Sequence, residues 1–292
     1  MNDYENAIEI KGLTKRYDGF TLDNVSFRVP KGSIMGFIGQ NGAGKTTTIR
    51  SLLNIIRADS GTIKLLGLDH IKNEYEVKER CAVVFDELPF HDSFTGDALS
   101  KMFSGLYGGW DEKQFFELCD RFGLPRKKKL SKFSKGMKMK MQIATALSHG
   151  AELLIMDEAT TGLDPVVRNE ILDIFREYLS GDDRSILMSS HITSDLEKIA
   201  DCVTFIDKGK ILLTGWKDDI LDTHAVIKCT KDELRSIAPE DCISVRVNDF
   251  GAEAMTADRA AAARKYPGYV IEKTTLEEIM LFYVNRDKKE WS

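Results

Sequence analysis

No run of the sequence approaches the roughly 18–20 apolar residues that a membrane span needs. Among the longest are Cys81-Ala82-Val83-Val84-Phe85 and Leu153-Leu154-Ile155-Met156, which have the length of buried strands. Met1-Asn2-Asp3-Tyr4-Glu5 has neither a basic nor an apolar leader, so no signal peptide is expected. There is no excess of positive charge. The 41 Lys and Arg stand against 46 Asp and Glu, a net charge of −5, which excludes a generally basic nucleic-acid binder. Cysteine is scarce: five, at 81, 119, 202, 229 and 242, odd in number and without a Cys-x-x-Cys pair. That pattern argues against a disulfide framework and fits buried thiols in a reducing cytoplasm. The five histidines are scattered, so a Cys/His zinc site is not expected either. There is no internal repeat and no low-complexity segment.

What is present is a chain of 292 residues, 42% hydrophobic and 30% charged, enough for one large domain or two modest ones around a sizeable core. Twenty of the 22 glycines lie in residues 1–217, and the acidic excess lies after them. A boundary therefore falls near Trp216-Lys217-Asp218. Before it, strand-like runs (7–10, 21–29, 33–38, 61–65, 82–85, 153–156, 185–189, 203–206) alternate with helix-like ones, such as 44–56. That alternation predicts an α/β domain with a mainly parallel sheet. Residues 87–150 turn helical from about Gly96 and read as an insertion. After the boundary, residues 225–229, 243–247 and 269–272 read as strands, Ala-rich 253–265 as helix, and 276–285 as a last helix. Thr274-x-x-Glu277 and Thr275-x-x-Glu278 both offer that helix a capping box. Residues 218–292 thus form a small α+β extension.

Gly39-Gln40-Asn41-Gly42-Ala43-Gly44-Lys45-Thr46 fits G-x-x-x-x-G-K-[ST] between an apolar strand and a helix. The glycines let backbone N–H groups turn inward as an anion cradle, and the helix aims its positive end at the same point. Lys45 adds a charge for the β- and γ-phosphates, and the Thr46 hydroxyl is a Mg²⁺ ligand. Leu153-Leu154-Ile155-Met156-Asp157-Glu158 is an apolar strand ending in two carboxylates. Asp157 can hold Mg²⁺ directly or through water, and Glu158 can act as general base on water. Ser134-Lys135-Gly136 opens a helix. Taken alone Ser134 is either an ordinary N-cap or part of a second anion site. His191 follows another strand, in Ser189-Ser190-His191, and by itself is more often structural than catalytic.

In this order, these segments resemble the nucleotide-binding subunits of ATP-binding cassette transporters over residues 6–217. The resemblance implies a P-loop NTPase, RecA-like core with an N-terminal antiparallel β-subdomain, an inserted helical subdomain and the α+β C-terminal extension. It implies that Tyr17 stacks on adenine. Residues 39–46 would bind ATP as the Walker A motif, with Thr47 near the α-phosphate. Ser134, Lys135 and Gly136 would be the signature motif, Met156-Asp157-Glu158 the end of Walker B, Gly162-Leu163-Asp164 the D-loop, and His191 the switch histidine at the γ-phosphate. ATP and Mg²⁺ are the implied cofactors. The implied partners are a membrane subunit on a separate chain and a second nucleotide-binding subunit, identical or not, with no nucleic acid. The implied location is cytoplasmic, peripheral on the inner face of the membrane. The Ser-Lys-Gly-Met signature and the tail are similar to bacterial antibiotic- and peptide-resistance exporters.

One position departs from the family. Where it places a metal-side glutamine, this chain reads Val83-Val84-Phe85-Asp86-Glu87. Asp86, directly at the strand end, is the expected metal ligand, with Glu87 the alternative. A carboxylate can ligate Mg²⁺ but cannot donate as an amide can. Arg126, Lys127, Lys128, Lys129, Lys132, Lys135, Lys138 and Lys140 form a basic run with no acid, most simply a solvated face, otherwise an attraction to anionic lipid or to the partner's nucleotide. Phe90, Phe94, Met102, Phe103, Leu106 and Tyr107 are expected in the core of the insertion, next to the groove where, by resemblance, a membrane subunit inserts a helix. The rival readings are a soluble cassette ATPase acting on ribosomes or DNA, a non-catalytic nucleotide sensor, and a kinase or GTPase. The missing repeat and coiled coil, the intact Asp157–Glu158–His191 set, and Tyr17 weigh against them in turn.

Overall fold

A computed structural model describes residues 5–180 and 183–286; the opening residues 1–4 lie outside it. In chain order the elements are β1 (Asn6–Tyr17), β2 (Phe20–Pro30), β3 (Ile34–Ile38), α1 (Lys45–Leu52), β4 (Ser60–Leu65), β5 (Leu68–Asp69), α2 (Glu74–Arg80) and β6 (Cys81–Val84). The helical stretch follows as α3 (Gly96–Leu106), α4 (Glu112–Arg121) and α5 (Lys135–Leu147). Then come β7 (Leu153–Asp157), α6 (Pro165–Leu179), β8 (Ser185–Ser190), α7 (Thr193–Ile199), β9 (Cys202–Asp207) and β10 (Lys210–Trp216). The last part holds α8 (Lys217–Thr223), β11 (Ala225–Cys229), α9 (Lys231–Leu234), β12 (Ser244–Asn248), β13 (Gly251–Thr256), α10 (Arg259–Lys265), β14 (Val270–Lys273) and α11 (Leu276–Val284).

The central sheet has the order β10-β9-β3-β8-β7-β6; all its pairs are parallel except β9 with β10. Its parallel strands are almost wholly buried because both faces are covered, whereas every residue of the antiparallel edge strand β10 is half-buried or exposed. Successive side chains point to opposite faces, so Ile34, Ile38, Leu154, Met156, Ile186 and Met188 join the core under the helices. Met35, Phe37, Leu153, Ile155 and Leu187 join a second core shared with α1 and the antiparallel sheet β2-β1-β4-β5. The first sheet thus lies over one face of the central sheet, and the helical insertion over the other.

The third sheet, β12-β13-β11-β14, is antiparallel and lies wholly after residue 217. Here the structure corrects one expectation. Residues 253–256, read as the start of an Ala-rich helix, are a strand, and the helix is confined to Arg259–Lys265. β13 pairs on both sides, with β11 and with β12, and this ladder outweighs the helix preference of alanine. Two further strands were not foreseen, β5 at the edge of the first sheet and β10 at the edge of the central one, and β1 runs on to Tyr17. The capping box at Thr275 and Glu278 is formed. One face of the third sheet has its own small core around Ile227, Leu234, Ala254 and Tyr266. Val226, Met255, Leu276 and Ile279 instead join the core beneath the central sheet. The Leu276 N–H donates to Oε1 of Glu197 in α7 at 2.6 Å.

All five cysteines are free, and four are buried; burial pushes the Cys81 and Cys119 thiols up to about 12. Among the described residues no helix is long and apolar enough to cross a membrane. Of the basic run, Lys135, Lys138 and Lys140 are ion-paired, and Arg126 lies 4.1 Å over the Phe116 ring.

The join between the first sheet and the central one is tightest at Gly209, in the β9–β10 turn. Its carbonyl accepts from Asp23 N–H at 2.8 Å, and its N–H donates to Ala43 O at 2.9 Å. It has φ +77°, and a Cβ there would lie 1.9 Å from Thr21 O. Gly209→Ala is therefore expected to destabilise the fold by roughly 2–4 kcal/mol, from left-handed strain plus the clash. The shift in urea midpoint measures it; a change below about 0.5 kcal/mol would mean that the turn adapts freely.

Candidate functional site

The site forms where β3, β7 and β8 end side by side. Ile38 pairs with Ser190, and Asp157 with Ser189, so the loop after β3 meets the ends of β7 and β8. This is the carboxyl edge of a parallel sheet, where open α/β folds gather their ligands. The loop 39–44 leads straight into α1, which has no acidic residue in its first turn, leaving its positive end uncompensated. Gly39 is required by close approach: a Cβ there would sit 2.5 Å from Ile206 O. Lys45 is buried, and its ammonium donates to Gly39 O at 2.6 Å and Gln40 O at 3.2 Å.

Glu158 joins the loops. One carboxylate oxygen lies 3.0 Å from Lys45 Nζ. The other lies 2.7 Å from His191 Nδ1 and accepts from the Thr161 hydroxyl at 2.7 Å. Because the ionised carboxylate only accepts, the histidine proton lies on Nδ1. Glu158 adopts φ +55°, a left-handed conformation that costs a residue with a side chain of the order of 1–2 kcal/mol. Its N–H is held by Ser189, through the hydroxyl at 3.1 Å and the carbonyl at 3.3 Å. Burial pushes the Glu158 carboxyl up. The Thr161 hydroxyl, the Lys45 charge and the His191 bond outweigh it and hold the carboxyl below its ordinary value. The residue is thus an ionised base at neutral pH.

Asp157 is buried, and its Oδ1 accepts from the Ser189 hydroxyl at 2.7 Å. Among the described residues no group of three or more His, Cys, Asp or Glu could hold a metal alone. The oxygen donors expected from the sequence, the Thr46 hydroxyl and the Asp157 oxygen not bonded to Ser189, would be the ones to hold it. That set fits Mg²⁺, which takes one or two protein oxygens and completes its shell with phosphates and water.

A cavity of about 380 Å³ is lined by Phe20, Gln40, Asn41, Gly42, Gly44, Lys45, Thr46, Thr47 and Glu158. The sequence reading missed Phe20. Tyr17 lies outside this lining; it is 44% exposed and pairs with Phe20 across the hairpin turn. The two-residue Asp18-Gly19 turn makes 17 and 20 cross-strand partners, a signal that was present in the sequence. Ser189 and Thr161, which hold Asp157 and Glu158, were also missed, since only their contacts reveal them.

Four expected site residues stand apart from the phosphate loop. Ser134 caps α5 by accepting from Met137 N–H at 3.2 Å, and Lys135 and Gly136 follow in the first turn; none of them lines the Lys45 cavity. Nor does Asp86, expected at the metal. Its Oδ1 lies 2.8 Å from Lys135 Nζ, and it lines a different cavity of about 640 Å³ with Glu87, Phe90, Asp92 and Lys138.

Residues 22–161 match the family model described as ABC transporter. The chain is 37% identical over 208 residues to the bacitracin transport ATP-binding protein BcrA of Bacillus licheniformis, covering 70% of this chain and 68% of that one. It is 32% identical over 263 residues to the daunorubicin/doxorubicin resistance ATP-binding protein DrrA of Streptomyces peucetius, covering 88% and 75%. A solved structure of an ATP-binding subunit of an ABC transporter superposes with a TM-score of 0.67 at 27% identity, covering 74% of this chain and 92% of that one.

The lowered Glu158 carboxyl sets a pH dependence. A depressed carboxyl stabilises the fold above its unfolded-state pKa, and that contribution is lost as pH falls through the lower folded-state value. Glu158→Gln, without nucleotide, is expected to lower stability by about 1–2 kcal/mol at neutral pH. The difference from wild type should close below the ordinary carboxylate range. Urea midpoints across pH check this; a difference independent of pH would mean that the charge contributes nothing.

Proposed function

The chain belongs to the ABC transporter family, and from that premise we propose that it drives an exporter of drugs or peptide antibiotics as one of two paired ATPase subunits on a separate membrane subunit. It is an ATP-binding subunit that hydrolyses ATP. The observation that carries the mechanistic reading is the position of Glu158, in contact with both Lys45 and His191.

ATP phosphates settle on the backbone amides of residues 39–46 and on Lys45, with Thr47 near the α-phosphate. The adenine lies against the Tyr17–Phe20 hairpin. Thr46 and Asp157 would hold Mg²⁺, which would supply charge neutralisation on the phosphates. The phosphates compete with Glu158 for Lys45, which releases Oε1 of Glu158 toward the attacking water. Glu158 takes the proton of that water. His191 keeps the carboxylate aimed through Nδ1–H; its Nε2 meets the γ-phosphate as a donor, so the ring in that contact carries a proton on both nitrogens.

The signature residues Ser134, Lys135 and Gly136 serve the nucleotide of a second subunit. This accounts for a helix N-terminus and a serine that lie outside their own subunit's Lys45 cavity. Two nucleotides would then close two composite sites, and hydrolysis would release them. The membrane subunit is received in the apolar cavity of about 360 Å³ between α2, β6 and the insertion, lined by Val77, Phe90, Phe103, Tyr107 and Ala146 among others. The protein works on the cytoplasmic face of the membrane, and residues 1–217 form the motor with 218–292 as an added domain.

Glu158→Gln should retain ATP binding and lose at least about 100-fold in turnover, the contribution of a positioned base. Phosphate release and filter binding measure the two; full turnover removes Glu158 from the role of base. Mixing Lys45→Ala with Ser134→Ala chains should restore ATPase, because the mixed pair keeps one intact composite site. No recovery, with mixed pairs demonstrated, counts against shared sites.

A further inference from the structure

The first turn of α5 has no acidic residue and carries Lys135 and Lys138. Cations at a helix N-terminus face its positive end, which is unfavourable unless countercharges are supplied. They come from the segment after β6. Asp86 lies 2.8 Å from Lys135 Nζ, and Asp92 3.1 Å from Lys138 Nζ. Asp86 is not placed there by chance of a mobile loop. The backbone of Phe85, just before it, is clasped by the buried amide of Gln142 on α5. Phe85 N–H donates to Gln142 Oε1 at 3.1 Å, and Gln142 Nε2 donates to Phe85 O at 3.1 Å. The two bonds fix residue 86 against the helix whose first residue is Lys135. On its other side the ammonium lies over the D-loop: a Cβ on Gly162 would sit 3.2 Å from Lys135 Nζ.

We propose that Asp86 is a positioning residue that acts through Lys135, holding its ammonium on its own subunit and so setting how strongly the second anion site attracts the partner's nucleotide. The proposal rests on the paired-subunit reading above. It gives the family-atypical carboxylate a role other than metal binding. Both groups are about half exposed, so the pair contributes little to folding. Its effect lies in the local field. With Asp86 in place the ammonium is neutralised, and without it a full positive charge stands beside Ser134 at the subunit surface.

The test is a double-mutant cycle on the full chain. Asp86→Asn should lower the KM for ATP about three- to fivefold, the range of one partly screened charge. The Mg²⁺ concentration for half-maximal activity should stay unchanged. In a Lys135→Met background, Asp86→Asn should shift neither. Asp86→Glu, which keeps the charge, should restore the wild-type KM. A raised Mg²⁺ requirement for Asp86→Asn would instead make Asp86 a metal ligand. An unchanged KM, or the same shift with Lys135 removed, would equally overturn the proposal.

Mixed pairs then locate the effect. Asp86→Asn placed on the Lys45→Ala chain faces the intact site from across the interface and should lower KM. Placed on the Ser134→Ala chain it should not, and the reverse pattern overturns action across the interface. If neither mixture is active although mixed pairs form, the shared-site reading fails and the proposal with it, while the cycle on unmixed protein still reads the Asp86–Lys135 coupling separately.

Discussion

The site depends on one contact, the ion pair between Lys45 and Glu158 at 3.0 Å. Each of these groups would be costly to bury alone. Lys45 is buried with two backbone carbonyls around it, which orient its ammonium but bring no countercharge. Glu158 sits in a left-handed backbone conformation, held there by Ser189. Together they tie the loop after β3 to the end of β7, and through His191 to the end of β8. On the proposed reading, the cation that binds phosphate and the base that activates water are counterions of one another. An anion that claims Lys45 would then also unload Glu158, and nucleotide binding and activation of the base would be two sides of one exchange of partners.

The order of the central sheet makes that exchange possible. β3 and β7 are separated in sequence by more than a hundred residues, yet only β8 lies between them. The alternation of side chains along these strands fills two cores at once, one on each face. The strand ends therefore have little freedom to slide, since a slip by one residue would exchange the two faces. Precision at the loops comes from this double burial.

Much of this was legible in the sequence because chemistry of this kind leaves fixed spacing. The phosphate loop must join a strand to a helix, and the carboxylates must end a strand, so both could be placed from residue order alone. Residues that act through a neighbour left no such mark. Ser189 and Thr161 are ordinary hydroxyl residues until their partners are seen. Phe20 was marked only indirectly, by the Asp18-Gly19 turn that pairs it with Tyr17, and Asp86 lies against Lys135 at a helix N-terminus that supplies no acid of its own. In the tail, Ala254 and the alanines after it favoured a helix from Glu253 on, yet small side chains also suit a strand paired on both sides. Propensity lost there to tertiary pairing.

The tail is better understood through α7 than through its own sheet. α7 has seven residues, too few for a helix to persist by itself, and it begins two positions after His191. Its register must come from outside. From one side Arg168, on α6, reaches both Leu163 O at 3.2 Å and the carboxylate of buried Asp195 at 3.7 Å, joining the D-loop to α7. From the other side the N-terminus of α11 donates its Leu276 N–H to Glu197, and Lys217 donates to Glu197 O at 3.0 Å. His224 adds a contact with Tyr283 at 3.0 Å, holding α11 against the start of the tail. The short helix behind His191 is thus clamped between α6 and the last helix of the chain. A segment with no chemistry of its own still helps to fix where the histidine stands, because the short helix that follows the histidine cannot fix itself.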